Sequence, residues 1–243
     1  MTTTNEIAVW SWRSDKSKFT NFGDELGPEI LRRLGYRTRR VELTDAQIIT
    51  AGSILQRALR TAKDDLVVWG AGLIRENDAL QSRPFQYAAV RGRLTAAALG
   101  LGPEVALGDP GILASKLWKR PKIRYGVGVV PHYTDKQSYP WADKVIDVRE
   151  PVSKVIHDIA SCSTIISSSL HGIIIAQSFG IPAMRLYRES VIGGDFKWAD
   201  YQTALEPDVH TAQTALIESL RLSLETTHNP KRKKSGLLRK RID

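Results

Sequence analysis

Short apolar runs alternate with helical patterns along most of this 243-residue chain. An apolar run of about four to eight residues predicts a buried strand, whereas apolar residues at helical spacing predict a helix that covers it. Strands are predicted at residues 7–12, 47–50, 66–69, 85–90, 122–130, 144–148 and 183–187, and in the run that ends at Ile166. Helices are predicted at 25–34, 53–60, 94–99, 152–159, 171–179 and 211–224. This alternation predicts an α/β protein with mostly parallel sheets.

A charged, proline-ended stretch, Trp118-Lys119-Arg120-Pro121, separates two α/β series of similar size. We interpret it as the boundary between an N-terminal domain, 1–118, and a C-terminal domain, 119–227, followed by a basic tail at 228–243. The apolar pattern alone is compatible with one or with two α/β domains. Two halves of this kind would face each other across a cleft.

Composition is that of an ordinary globular protein, with 42% hydrophobic and 25% charged residues. No apolar run is long enough to cross a bilayer, and the polar first residues lack a signal-peptide pattern. We therefore expect a cytoplasmic protein. Its single cysteine, Cys162, excludes an internal disulfide and a multi-cysteine metal site, and it is predicted to be a small buried hydrophobe.

The net charge of +9 is concentrated at the end of the chain. Residues 228–243 carry seven basic residues against one acidic residue, and so hold six of the nine net positive charges. This distribution argues against a basic nucleic-acid-binding face. With Leu237 and Leu238 between its two basic clusters, the tail suits contact with an anionic membrane at its inner face. The alternative is a disordered, solubilising terminus.

One histidine, His171, is predicted at a strand-to-helix junction. The strand that ends at Ile166 is followed by Ser167, Ser168 and Ser169 and then by the helical stretch. Free backbone N–H groups, serine hydroxyls and the helix dipole at such a junction favour an anion. A histidine there can move protons near neutral pH. The alternative is that Ser169 caps the helix and His171 is an ordinary surface residue.

Two further segments carry candidate chemistry. In Asn21-Phe22-Gly23-Asp24, the glycine allows a close backbone approach and Asp24 places a carboxylate where α/β ligand crevices form. The same four residues also suit a turn in which Asp24 caps the next helix. Arg91 follows a predicted strand, and its guanidinium matches a carboxylate or a phosphate. The alternative is that Arg91 and Arg93 form a solvated pair.

Other motifs are less specific. His132 and Tyr133, at the end of the 122–130 strand, suit sugar or phosphate binding and equally suit an ordinary loop. Gly70-Ala71-Gly72 begins like a dinucleotide-binding fingerprint, but Arg75 occupies the place of its third small residue. These glycines then indicate a tight turn near the cleft. No histidines or carboxylates cluster at metal-ligand spacing, so no metal is expected.

In their order along the chain, these motifs resemble the polysaccharide pyruvyltransferase family. The resemblance spans residues 21–201 and includes 90–95, Gly108-Asp109-Pro110-Gly111 and 126–133. The Ser-Leu-His-Gly form and residues 50–55 are similar to bacterial exopolysaccharide members of the succinoglycan ketal-forming type. The resemblance implies two Rossmann-like domains in the GT-B arrangement. It also implies transfer of pyruvate from phosphoenolpyruvate, as co-substrate and without a cofactor, onto two hydroxyls of a lipid-linked or nucleotide-linked saccharide, which forms a cyclic ketal.

Site roles follow from the motifs taken together with the resemblance. His171 is the expected acid and Asp24 the expected base. The expected donor-binding residues are Arg91, Ser168, Ser169, Asn21, Gly23 and Gly172. The expected residues of the acceptor side or the cleft wall are His132, Tyr133, Gly72 and Lys197. Many family members have arginine where this chain has Ser169, so Arg91, Arg185 or Lys197 would replace its charge. The alternative function is a nucleotide-sugar-dependent GT-B glycosyltransferase.

Overall fold

The computed structural model describes residues 6–13, 20–78, 83–189, 191 and 193–228, with the backbone alone at 226–228. The basic clusters of the predicted tail, from Lys231 onward, lie outside the described residues, and the membrane contact of the tail stays a prediction. No helix within the described ranges is both long enough and apolar enough to span a bilayer.

Two parallel sheets organise the described chain. The first has six strands in the order β2-β1-β3-β4-β5-β6, and the second has four in the order β10-β9-β7-β8. The strands of the first sheet are β1 Ile7–Trp10, β2 Thr38–Arg40, β3 Ile48–Ile49, β4 Val67–Ala71, β5 Gln86–Val90 and β6 Ala106–Leu107. Those of the second are β7 Tyr125–Val130, β8 Lys144–Val145, β9 Cys162–Ser167 and β10 Ala183–Arg185.

Helices connect these strands. They are α1 Phe22–Arg33, α2 Leu55–Thr61, α3 Arg93–Ala98, α4 Ala114–Leu117, α5 Val152–Ala160, α6 Leu170–Ser178, α7 Phe196–Gln202 and α8 Val209–His228. Short 3-10 turns lie at Leu43–Asp45, Glu76–Asp78 and Pro110–Leu113. Parallel strands need crossover connections, and helices supply most of them here. The predicted α/β class, with parallel sheets in two Rossmann-like halves, is confirmed.

Helix α6 joins the two halves. It is apolar around most of its circumference, as expected of a helix that is buried on all sides. One side packs against β9 and β10 of the second sheet, and another packs against the 3-10 turn at Pro110–Leu113, which follows the first sheet. A single core cluster therefore runs through both halves. The start of α6, which carries His171, is held between them.

Several elements differ from those predicted. The last helix, α8, lies within the segment assigned to the second domain, yet it packs against β4, β5 and β6 of the first sheet. The indole of Trp69 donates a hydrogen bond to the carbonyl of Leu216 at 2.9 Å. The strands β2 and β6 and the helices α4 and α7 were not predicted, because two- to seven-residue elements are too short to show a clear period. The predicted strand at 144–148 pairs only at Lys144–Val145.

Cys162 is fully buried at the start of β9, as expected for a small hydrophobe. Burial raises the pKa of its thiol to about 11, so the thiol stays protonated near neutral pH. A protonated thiol is a poor nucleophile. Cys162 therefore contributes packing.

Candidate functional site

A cavity of about 250 Å³ lies between the two halves. It is bordered by loops that follow β1, β3, β7 and β9, which is where ligand crevices form in α/β proteins. Its wall combines acidic, basic and hydroxyl side chains from both halves. They include Asn21, Asp24, Ser53, Arg57, Arg91, Asp109, His132, Tyr133, Ser169, His171 and Lys197.

The imidazole of His171 is buried beside a carboxylate. Its Nε2 lies 3.4 Å from Oδ2 of Asp109, and neither atom has a hydrogen-bond partner among the described residues. The other oxygen of Asp109 accepts a hydrogen bond from the backbone N–H of Gly111 at 2.8 Å, which fixes the carboxylate. A carboxylate held at this position can orient the imidazole.

Gly23 makes room for the same ring. A Cβ atom at this position would lie 2.3 Å from Nδ1 of His171, a distance that no side chain tolerates. Phe22 contacts the imidazole edge-on, with 6.1 Å between ring centroids. The glycine of the Asn21-Phe22-Gly23-Asp24 motif therefore positions the histidine through close packing, a function that the sequence pattern did not reveal.

Asp24 faces the cavity at the first turn of α1. Its Oδ2 accepts a hydrogen bond from the side-chain amide of Asn21 at 3.2 Å, and Asn21 in turn caps the helix through the N–H of Gly23. Burial raises the pKa of Asp24 to about 6, against the opposing effects of His171 and Asn21. A carboxyl group with this pKa can take up or release a proton near neutral pH.

Arg91 borders the cavity, but protein groups hold its guanidinium. Nε donates to Oδ2 of Asp200 at 2.9 Å, Nη1 to Oγ of Ser53 at 2.6 Å, and Nη2 to the carbonyl of Leu73 at 2.6 Å. Both members of the Arg91–Asp200 ion pair are completely buried. The guanidinium also packs on Gly72, where a Cβ would lie 2.4 Å from Cζ. Arg91 thus ties α7 to the first sheet, and contact with a donor stays a prediction.

Ser168 and Gly172, two other predicted donor ligands, contact protein groups at the start of α6. The hydroxyl of Ser168 donates to Asp135 at 2.8 Å and accepts from the N–H of His132 at 2.9 Å. Gly172 permits close packing, because a Cβ there would lie 2.3 Å from Oγ of Ser167. Ser169, in contrast, lines the cavity.

His132, Tyr133 and Lys197 all line the cavity. Burial lowers the pKa of His132 to about 4, with a contribution from the charge of Lys197, so this imidazole is neutral at pH 7. Its Nδ1 lies 2.8 Å from Oγ1 of Thr134. Burial, with smaller contributions from Arg91 and Arg185, lowers the pKa of Lys197 to about 8, which leaves most molecules charged at neutral pH. Lys197 is therefore a cation positioned for an anionic ligand.

Sequence reasoning assigned no role to Asp109, Arg57, Gln56 or Asp200. Asp109 lies in the Gly108-Asp109-Pro110-Gly111 motif, but its sequence context indicates only a turn before Pro110. Arg57 is an exposed residue of α2 at the mouth of the cavity, and Gln56 beside it has a buried Oε1 without a hydrogen-bond partner among the described residues. No local signal distinguishes Gln56 and Arg57 from the polar face of an ordinary helix.

The arrangement combines proton-transfer groups with cations. Asp24 and the His171–Asp109 pair can exchange protons, while Lys197 and Arg57 can bind a phosphate or a carboxylate. Within the described ranges, no group of histidine, cysteine and acidic side chains is arranged to hold a metal ion. This chemistry suits general acid and base catalysis on a small anionic substrate.

Comparisons with known proteins bear on this site. The Succinoglycan biosynthesis protein ExoV of Rhizobium meliloti (strain 1021) is 29% identical over 201 residues, which cover 78% of this chain and 63% of that protein. The Uncharacterized protein L143 of Acanthamoeba polyphaga mimivirus is 35% identical over 131 residues, or 47% of this chain and 46% of the relative. The chain thus spans less than two thirds of the length of either relative.

The sequence model of the polysaccharide pyruvyl transferase family matches residues 9–190. This range contains Asp24, Asp109 and His171, and it runs from the first sheet through the last strand of the second. The predicted acid and base and all of the cavity wall except Lys197 therefore lie within the match, and the chain belongs to the polysaccharide pyruvyl transferase family.

Proposed function

We propose that this chain transfers pyruvate from phosphoenolpyruvate onto two hydroxyl groups of a saccharide and so forms a cyclic ketal in exopolysaccharide biosynthesis. Family membership and the similarity to a protein named for succinoglycan biosynthesis support the reaction class. The observation that carries the proposal is the cavity in which Asp24 and the His171–Asp109 pair lie together with Lys197.

The reaction needs proton transfer in two directions. Protonation of the methylene carbon of phosphoenolpyruvate forms an oxocarbenium-like centre at the neighbouring carbon. A sugar hydroxyl attacks that carbon and loses its proton. The bond between that carbon and the phosphate oxygen then breaks, phosphate leaves, and the second hydroxyl closes the ring and gives up its proton, which the departing phosphate takes up. One donor and one diol thus give one ketal and one phosphate, with no oxidation or reduction. An acid, a base and cationic ligands together satisfy this sequence.

His171 is the proposed acid and Asp24 the proposed base. Asp109 lies 3.4 Å from Nε2 and can hold the imidazole in the orientation in which it delivers a proton. Asp24 is mostly ionised at pH 7, because its pKa is about 6, and can accept the hydroxyl proton. Lys197 and Arg57 are the proposed ligands of the donor phosphate and carboxylate, with Ser169 as a hydrogen-bond donor. These two cations would supply the charge of the arginine that many family members carry at the position of Ser169.

The proposed role of Asp24 predicts a particular pH dependence. A base must be ionised, so turnover should fall as the pH is lowered through about 6, rather than near the ordinary aspartate value. In Asp24→Asn this acidic limb should disappear together with most of the turnover. Glu29→Gln on the same helix is the control, because Glu29 contacts Arg32 and Arg33, does not line the cavity and does not affect the pKa of Asp24. The measurement is turnover as a function of pH for wild type, Asp24→Asn and the control variant.

The stability of the same proteins provides a second check. The native Asp24 carboxyl binds its proton more tightly than the unfolded one, so its contribution to the free energy of unfolding decreases as the pH rises from about 4 to about 6. The difference in stability between wild type and Asp24→Asn should therefore change across this window and level off above it. A difference that is constant with pH would contradict the raised pKa.

Product analysis tests the proposed function directly. The full chain is incubated with phosphoenolpyruvate and a pool of lipid-linked and nucleotide-linked oligosaccharides. The expected result is release of inorganic phosphate with the mass of a pyruvate ketal on the saccharide. Transfer of a sugar from a nucleotide sugar, with no reaction of phosphoenolpyruvate, would overturn the proposal in favour of a glycosyltransferase.

A further inference from the structure

A large groove opens from the reaction cavity along the first half of the molecule. Its volume is about 970 Å³, nearly four times that of the cavity. The two spaces share Trp12, Gln56, Arg57 and Ile74 in their walls, so they adjoin each other. The groove follows the carboxyl end of β1 and the exposed side of α2. A ligand larger than phosphoenolpyruvate could occupy the groove and place one end in the cavity.

Three arginines give this groove a positive charge. Arg57 and Arg60 lie one turn apart on α2, and Arg75 follows β4; all three are exposed. In the described part of the chain, no carboxylate lies within 4 Å of any of the three guanidinium groups, as a salt bridge would require. Their charges are thus available to an anion of the size of a phosphate or a diphosphate.

Other charged residues of the groove offset the positive charge of these three arginines only in part. Arg13 and Arg40 also line it, but both pair with Glu25, at 3.1 and 2.7 Å. The carboxylates in its wall are Glu42 and Asp78, and Asp78 accepts a hydrogen bond from the backbone N–H of Arg75 at 3.0 Å. Five arginines against Glu42, Asp78 and the paired Glu25 leave the groove with a net positive charge.

Two tryptophans supply flat apolar surfaces in the same groove. Trp10 ends β1 and Trp12 lies two residues further on, and both line the groove. Both are partly exposed. A sugar ring has an apolar C–H face that packs on an indole, while its hydroxyls remain free to hydrogen-bond. Trp12 is also in the wall of the reaction cavity, whereas Trp10 lies in the groove alone.

We propose that this groove binds the acceptor as a saccharide joined to a phosphate or diphosphate. The sugar that reacts lies at Trp12 beside the cavity, and the phosphates lie at Arg60 and Arg75, because Arg57 is already a proposed ligand of the donor. This inference rests on the proposed function for naming the ligand an acceptor. A lipid diphosphate and a nucleoside diphosphate present the same anionic group to these arginines, and the experiment distinguishes the two sources.

The test measures binding in the absence of phosphoenolpyruvate. Isothermal titration calorimetry on the full chain uses three probes: a water-soluble farnesyl diphosphate glucose, UDP-glucose and cellobiose. We expect at least one diphosphate sugar to bind about tenfold or more tightly than cellobiose, with an affinity that falls as salt is raised. The probe that binds more tightly identifies the lipid or the nucleotide as the source of the diphosphate.

Two variants and a matched control locate the site. Arg60→Glu should weaken the binding of the tighter diphosphate sugar by about tenfold or more, because it reverses a charge in the groove. Trp10→Ala should weaken both this probe and cellobiose. Neither residue lines the reaction cavity, so the affinity for phosphoenolpyruvate should be unchanged in both variants. Arg221→Glu, an equally drastic change at an exposed position of α8, should bind every probe like wild type.

The outcomes separate this inference from the proposed function. Equal affinities of wild type and Arg60→Glu for the diphosphate sugars would overturn the proposed acceptor site in the groove. Equal affinities of wild type for cellobiose and for both diphosphate sugars would overturn it as well. If the ketal forms but the KM for the acceptor is unchanged in Arg60→Glu, acceptor binding in the groove is refuted while the proposed function stands. If Arg60-dependent binding is seen but no ketal forms, the groove stands as a diphosphate-sugar site and the proposed function fails.

Discussion

Replacement of His171 by asparagine is expected to lower turnover by about 10²–10⁴-fold while donor binding persists. Asparagine keeps a polar side chain of similar reach beside Asp109 but cannot deliver a proton as an imidazolium does. The proposed cationic ligands of the donor, Lys197 and Arg57, are unchanged in this variant. Turnover, the dissociation constant of phosphoenolpyruvate and the melting temperature are measured together, because the three respond differently to a catalytic and to a structural role.

Ser169→Ala provides the matched control at the same junction. It removes one hydroxyl from the cavity wall, so it should raise the KM for the donor with a much smaller loss of turnover. A stable His171→Asn protein that binds the donor and turns over like wild type would refute the proton-transfer role. A lowered melting temperature with normal turnover per folded molecule would assign His171 a structural role.

Arg91→Ala should lower the free energy of unfolding by about 3–5 kcal/mol. The change leaves the carboxylate of Asp200 fully buried without its counter-charge, at a site where the hydroxyl and the N–H of Thr95 are its other partners. Arg93→Ala is the control two residues away, since its side chain is 59% exposed and lies 3.8 Å from Glu206. That variant should stay within about 0.5 kcal/mol of wild type. Urea denaturation measures both.

Two further variants distinguish a buried ion pair from a donor ligand. Arg91→Lys should recover little stability, because an ammonium group cannot reproduce the guanidinium contacts to Asp200, Ser53 and Leu73. Replacing both partners, Arg91→Met with Asp200→Leu, should be less destabilising than Arg91→Ala alone, since no buried charge remains unpaired. Unchanged stability in Arg91→Ala with a loss of phosphoenolpyruvate affinity would make Arg91 a ligand and contradict this account.

The longer elements of the fold could be predicted because their apolar patterns are local. Strands β1, β4, β5, β7 and β9 were all found close to their predicted positions. The strand Thr38–Arg40 was missed, since its Thr-Arg-Arg sequence shows no apolar period and only its pairing with β1 makes it a strand. The return of α8 to the first sheet was missed as well, because an apolar helix face does not specify which sheet it covers.

The candidate site, like the fold, could be predicted from the sequence only in part. The Asn21–Asp24 loop and His171 could be placed near a common cleft, since each follows the carboxyl end of a strand in one of two predicted halves that face each other. Arg91 shows where this reasoning stops. Its position after a strand suited a ligand contact, but its main partner, Asp200, lies 109 residues further along the chain. Nothing in the local pattern of either residue indicates that pairing.

The sequence by itself determined the α/β class, the main strands and helices, and the presence of Asp24 and His171 at strand-to-helix junctions. These features depend on backbone preferences and on apolar spacing, which act over a few neighbouring residues. The tertiary structure alone decided that Asp109 lies beside His171, that Arg91 pairs with Asp200, and that the pKa of Asp24 is about 6. Each of these depends on burial and on distances between atoms far apart in the chain, and only the packing of the two sheets around α6 sets them.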